Sequence, residues 1–404
     1  MILSQMSVAL ALRSARTWPR VQCFSTSPTN LKSWESRPQA IDTLGGRKQS
    51  TPHVALSAAG IKLQQELVQH HADPVAMLRD RMDNDTADIE TARVCMAVYF
   101  DYLWTMSRRR RRPHIVEGNV GRLTLEWLWS KDHRWSQAVL TDMDFIEKLS
   151  YFAVAADLSP SLLKWAAQPF PGSEQLESNE YRWRGAVVRT VIRAHLILDC
   201  AATANDALKE FLDLADRVPE ARKIDKQSPL ASISLWPSQC ELSKCLSTGF
   251  YPRTDAKLYD RFIDHCKQDR RTDNLSLATL SIHHPSKPDL EPPLGYIRDH
   301  IGPLSSAEFS QRFPPASAIS KHMFLILRRT ELLLHQQNRL KTAEDVGALI
   351  QKFFDEQTQQ ALNQKIEWEN IMINNLRRGG GNSPKSQRLS GIGTRPTKKH
   401  SGKS

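Results

Sequence analysis

The chain has little cysteine, almost no alternation of β-branched residues and no long apolar run. Its six cysteines, Cys23, Cys95, Cys200, Cys240, Cys245 and Cys266, are scattered over 404 residues. That spacing builds no disulfide framework and suits a reducing compartment. No stretch approaches the ~18 continuous apolar residues that a membrane helix requires, so no transmembrane segment is expected. Recognisable enzyme signatures are missing too: there is no G-x-x-x-x-G-K-[ST], no G-x-G-x-x-G behind a strand, no G-x-S-x-G and no H-E-x-x-H. The glycine run Gly379 to Gly381 has no helix after it to receive phosphate, which makes it a linker. No catalytic residue, cofactor or metal is therefore expected, and the chain is read as a non-enzyme.

Acidic residues are absent from both ends. Residues 1–34 carry Arg13, Arg16, Arg20 and Lys32, and residues 377–404 carry eight cations, in both cases with no Asp or Glu. All of the formal net charge of +11 sits in these ends, and the body between them is close to neutral. In the N-terminal segment Ile2, Leu3, Met6, Val8, Leu10 and Leu12 form the apolar side of a short helix, with Arg13 and Arg16 extending its polar side. Spaced arginines, hydroxyl residues and no acids are the composition of a mitochondrial targeting peptide. Residues 1–28 are assigned to it, with cleavage between Cys23 and Ser27 and the mitochondrial matrix as destination. A polar linker follows over 29–51, containing Pro38, Gly45 and Gly46. The basic tail at 378–404 lacks the apolar content to join a core and is expected to be disordered.

Between linker and tail nearly everything reads as helix, and the expected fold class is all-α, built of stacked antiparallel hairpins. Residues 85–106 carry Ile89, Ala92, Met96, Tyr99, Leu103 and Met106 at helical spacing, with Asp85 as candidate N-cap. A helical body is expected over 52–282, a Pro-rich loop over 283–304 and a C-terminal helical module over 305–377. Within the body, Ala207 and Phe211 have the A-x3-F spacing that resembles the second helix of a tetratricopeptide repeat. The order Gly249, Pro252, Tyr259, Phe262, Ile263 resembles the junction between two pentatricopeptide repeats. Both resemblances imply helical hairpins with a groove for RNA or protein. The gap from proline to tyrosine is two residues longer than that family's and no second copy follows, so no base-reading residue is carried over.

The metal-ligand candidates are Cys240, Cys245, His265, Cys266, His283 and His284. On a helix, Cys240 and Cys245 would point about 140° apart, so they would not converge on one ion, and structural roles are expected.

What is abundant is tryptophan and arginine. Trp104, Trp127, Trp129, Trp135, Trp165 and Trp183 lie in one stretch that also holds the five adjacent arginines Arg108, Arg109, Arg110, Arg111 and Arg112. Most of these rings are expected to fill the core between helices. The arginine run, placed at the C-terminus of the 85–106 helix, admits three uses: a nuclear address, a solvated loop, or an anion-binding site. Mutual repulsion among five guanidinium groups favours an anionic partner, and guanidinium beside aromatic rings is what single-stranded RNA binding uses. The candidate RNA-binding residues are therefore Arg108 to Arg112 with Trp104, and the expected partner is mitochondrial RNA or the ribosome. The alternative is a scaffold that takes protein partners in grooves between helices.

Overall fold

The computed structural model describes residues 56–70, 72–106, 108–169, 182–198, 203–315 and 317–377. The targeting-peptide and tail assignments lie outside the described residues, as does the linker. Among the described residues every regular element is a helix and no strand occurs, as the hydrophobic periodicity requires.

The N-terminal part comprises α1 (Ala58–Gln69), α2 (Pro74–Asp83), α3 (Ile89–Thr105), α4 (Arg108–Gly118) and α5 (Val120–Ser130). After a 3₁₀ turn, His133–Trp135, come α6 (Gln137–Leu140), α7 (Met143–Ala155), α8 (Ser159–Ala166), α9 (Arg182–Leu198) and α10 (Asn205–Ile224). Next are α11 (Trp236–Leu246), α12 (Ala256–Gln268) and α13 (Asn274–Ile282). The C-terminal part comprises α14 (Glu291–Tyr296), α15 (Ser306–Arg312), α16 (Ala318–Gln336), α17 (Leu340–Phe353) and α18 (Glu356–Arg377).

Side-chain caps set many of the helix starts. Asp73, Asp88, Asp142, Asp255 and Asp273 each accept a hydrogen bond from a backbone N–H in the first turn of the helix they precede. The expected cap at Asp85 is corrected: Asp88 accepts from Thr91 N at 2.7 Å, and Asp85 sits three residues earlier at φ 56°, inside the turn. A carboxylate caps only from the position directly before the helix, and pattern alone does not fix that position.

α9 is the central strut of the body. Val187, Val188, Val191, Ile192, Leu196 and Leu198 are all buried, and the helix packs against α7, α8, α10 and α11. Its approach to α7 includes a buried hydroxyl pair, Ser150 Oγ to Thr190 Oγ1 at 2.8 Å. α5 crosses α7 closely because Gly121 has no side chain; a Cβ there would stand 2.7 Å from the backbone C and O of Phe152.

Among the described residues, nearly all the buried apolar side chains fall into two clusters. The first runs from α1 to α12, and the second from α13 to α18. α13 serves both, with Leu280 in the first and Leu275, Ala278 and Ile282 in the second. The Pro-rich stretch is not a loop, because it contains α14 and a π-helical turn, Ile297–Ile301, whose Ile297 and Ile301 are buried in the second cluster. Pro292 and Pro293 occupy the first turn of α14, where the missing N–H would have had no partner in any case.

The repeat-like residues are brought together. Ala207 and Phe211 on α10 are buried, and the Phe211 ring meets Phe262 of α12 edge to face at 5.5 Å between centroids. Gly249 makes the turn after α11 at φ 72°, a conformation that side chains disfavour.

Candidate functional site

The arginine run is not at a helix C-terminus. α3 ends at Thr105, and Arg108 opens α4, so the five arginines form the first half of a new helix. The helix dipole therefore opposes them, since cations are favoured at the other end. Pro113, the sixth residue of α4, also removes one intrahelical hydrogen bond.

Two of the arginines are used inside the molecule. Arg111 reaches back to the C-terminus of α3, where its Nε donates to Leu103 O at 3.1 Å and its Nη2 to Met106 O at 3.2 Å. Its guanidinium also lies 3.9 Å from the centroid of the Trp104 ring. Arg112 acts likewise on α7, whose Ala155 O accepts from its Nε at 3.4 Å, while its Nη2 pairs with Asp157 at 2.7 Å. Each arginine thus restores the favourable arrangement of cation at a helix C-terminus, but across a turn. Arg110 is exposed. Of Arg108 and Arg109 only the place in the first turn of α4 is described.

The tryptophans are mainly core. Trp127, Trp165 and Trp183 are buried, and Trp165 meets Trp183 at 5.1 Å and Trp129 at 5.7 Å between ring centroids. Arg184, itself buried, closes this cluster by donating to Gln168 O at 2.7 Å and to Ala166 O, the carbonyls behind α8. Trp104 is half-buried with Arg111 over it. No base can stack on a face that a guanidinium already covers.

The metal candidates do not assemble. Among the described residues no group of three or more His, Cys, Asp or Glu is placed to hold an ion. His284 accepts from Lys287 N at 2.9 Å through Nδ1 and faces Asp260 at 3.1 Å through Nε2, which makes it the pin of a turn. Burial pushes the Cys95 and Cys266 thiols up to about 12, far from a reactive thiolate.

The C-terminal part holds two features that sequence reasoning missed. The first is a buried polar cluster joining α13, α16 and α18. Arg329 Nη2 donates to Glu369 Oε2 at 2.7 Å, and Arg329 Nη1 donates to the ring of His283. His322 lies beside them, with Nε2 at 3.4 Å from Thr279 Oγ1. Burial first, then the Arg329 charge, holds His283 well below the usual histidine range and lowers His322 to about 4. Both rings are neutral at physiological pH. The second feature is the outer face of α18, where Trp368 is 57% and Ile371 53% exposed. The opposite face, with Leu362, Ile366 and Glu369, is buried. An apolar pair at i and i+3 on the solvent side of an anchored helix was legible as spacing, but which side faces solvent was not.

A shallow cleft of about 450 Å³ opens where α13 starts, between the π-helical turn and the ends of α15 and α16. Tyr296 and His300 meet at a 45° tilt in its lining, with ring centroids 4.9 Å apart, and Arg312 also lines it.

Compared with protein-family models, with curated protein sequences and with solved structures, the chain finds no match.

Proposed function

We propose that this chain is a mitochondrial-matrix assembly factor, a non-enzymatic scaffold of helical hairpins whose last helix presents an apolar strip to a protein partner. The observation that carries the proposal is the pair Trp368 and Ile371, exposed on α18 while the helix is locked from behind by the buried Arg329–Glu369 pair. A large aromatic on a rigid, solvent-facing helix is the usual anchor of a protein interface. The internal use of Arg111, Arg112 and Trp104 also supports a scaffold over an RNA-binding strip, because RNA recognition needs these groups free.

The experiment is crosslinking and mass spectrometry on the protein isolated from mitochondria, comparing the native chain with Trp368→Ser/Ile371→Ser. A scaffold loses its stoichiometric protein crosslinks on α18 in the variant. An unchanged crosslink map, with RNA adducts on Arg108 to Arg112, would overturn the proposal.

RNA association remains the second reading for one reason. Arg108 to Arg110 stand at the positive end of α4, so an anion there would offset both their mutual repulsion and the helix dipole.

A further inference from the structure

We propose that α18 is a latch that docks and releases as a unit on the turn after α11, and that this seat is coupled through it to the strip of Trp368 and Ile371. The contacts between seat and latch form a closed ring. Gly249 stands so close to α18 that a Cβ on it would lie 2.9 Å from His283 Nδ1 and 3.1 Å from Ile373 Cδ1. His283, the residue that ends α13, receives the Nη1 donation of Arg329, and Arg329 Nη2 donates to Glu369 of α18 at 2.7 Å. Glu369 and Ile373 are about one helical turn apart, so the ring closes on α18 itself.

The seat belongs to the body that precedes it. Tyr251 Oη donates to Leu196 O of α9 at 3.3 Å, and Thr254 Oγ1 accepts from Ala204 N, just ahead of α10, at 3.0 Å. The amides of the turn are themselves bonded, Thr248 N to Cys245 O and Gly249 N to Leu246 O, each at 3.2 Å. The latch is held more lightly. α18 spans 22 residues, yet among its described side chains Leu362 and Ile366 are the only buried apolar ones. An element with so few buried apolar groups opens at a lower free energy than the whole molecule unfolds. Docking also sets the direction of the strip. At about 100° per residue, Leu362, Ile366, Glu369 and Ile373 share one side of α18, and Trp368 and Ile371 centre about 160° away from it. The strip is therefore turned to solvent while Glu369 and Ile373 are seated. The latch stands on these contacts alone, whereas its consequence rests on reading the strip as a partner surface: a partner that grips the docked strip favours the seated state, and by linkage seating raises partner affinity by the same factor.

The test is hydrogen exchange by mass spectrometry on the full chain without any partner, read in both directions. Gly249→Ala puts a methyl against His283 and Ile373, and the α18 amides over 366–374 should then exchange about tenfold faster while those of α9 stay unchanged. Ile373→Ala leaves the backbone of the turn untouched, and the amides of Thr248 and Gly249 should nevertheless exchange several-fold faster. Acceleration confined to the turn in the first variant, or to α18 in the second, would overturn the proposal, and so would an equal acceleration throughout the chain. If Gly249→Ala does not fold, Ile373→Ala decides alone. Trp368 and Ile371 are intact in both variants and no partner is present, so the scaffold reading stands or falls separately on its own crosslinks.

Discussion

Removing the carboxylate of Glu369 should be among the most damaging single changes in the C-terminal half. Arg329 and Glu369 are 12% and 11% exposed, they meet through Nη2 at 2.7 Å, and Nη1 is spent on the neutral ring of His283. Glu369→Met would leave a buried guanidinium without its counter-charge, a situation that costs about 3–5 kcal/mol. Arg329→Met would strand the carboxylate at a similar cost. The double variant Arg329→Met/Glu369→Met removes both charges and fills the volume with apolar atoms, so most of that loss should be recovered. With roughly 2–4 °C per kcal/mol for a large domain, each single variant should melt on the order of 10 °C lower. The assay is a double-mutant cycle by urea unfolding followed by circular dichroism. Single variants within about 0.5 kcal/mol of the parent, or a double variant as unstable as the sum of the singles, would refute the clamp.

Three further outcomes are expected. Gly121→Ala would push a methyl to 2.7 Å from the Phe152 backbone, which cannot retreat as a flexible side chain could, so a loss of about 1–3 kcal/mol should appear in thermal melts. His322 is held neutral at about 4, below its unfolded value, so the unfolded chain binds the extra proton first as pH falls. Stability should be complete above pH ~6.5 and decline toward pH ~4 by up to about 1.4 kcal/mol per pH unit per histidine. His283 adds to the slope and His322→Gln lessens it, which urea titrations at several pH values will read. N-terminal sequencing of the organellar protein should begin between about residue 24 and residue 29, and an intact Met1 would contradict the targeting assignment.

Much of the helical pattern was legible because apolar residues at 3.6 spacing report the buried face directly, as Met96, Tyr99 and Leu103 do in α3. α4 was not legible, since RRRRRPHIVEG has neither a clear apolar stripe nor a good helix start. It forms where its neighbours accept it: Ile115 is buried, Tyr99 Oη donates to His114 O at 3.0 Å, and Arg111 and Arg112 find the ends of α3 and α7. These are tertiary gains that no local pattern displays. The same holds for Arg329 and Glu369, which lie 40 residues apart and read as ordinary charges on two amphipathic helices. The tryptophans between residues 104 and 183 were correctly expected to be mostly core: Trp127, Trp165 and Trp183 are buried, and Trp129 and Trp135 pack against the same cluster.

The proposed scaffold assigns the arginine corner to the fold of this chain and binding to the apolar face of α18. The most direct test of this assignment is the salt dependence of single-stranded RNA binding by the tail-deleted protein, with Arg108, Arg109 and Arg110 either intact or replaced together by Gln. Arg111 and Arg112 stay in place to keep the α3 and α7 contacts. Weak binding with the same log-log salt slope is expected in both proteins. A slope that flattens by about 2 in the Gln variant, close to 0.7 for each of three lost phosphate contacts, would contradict it.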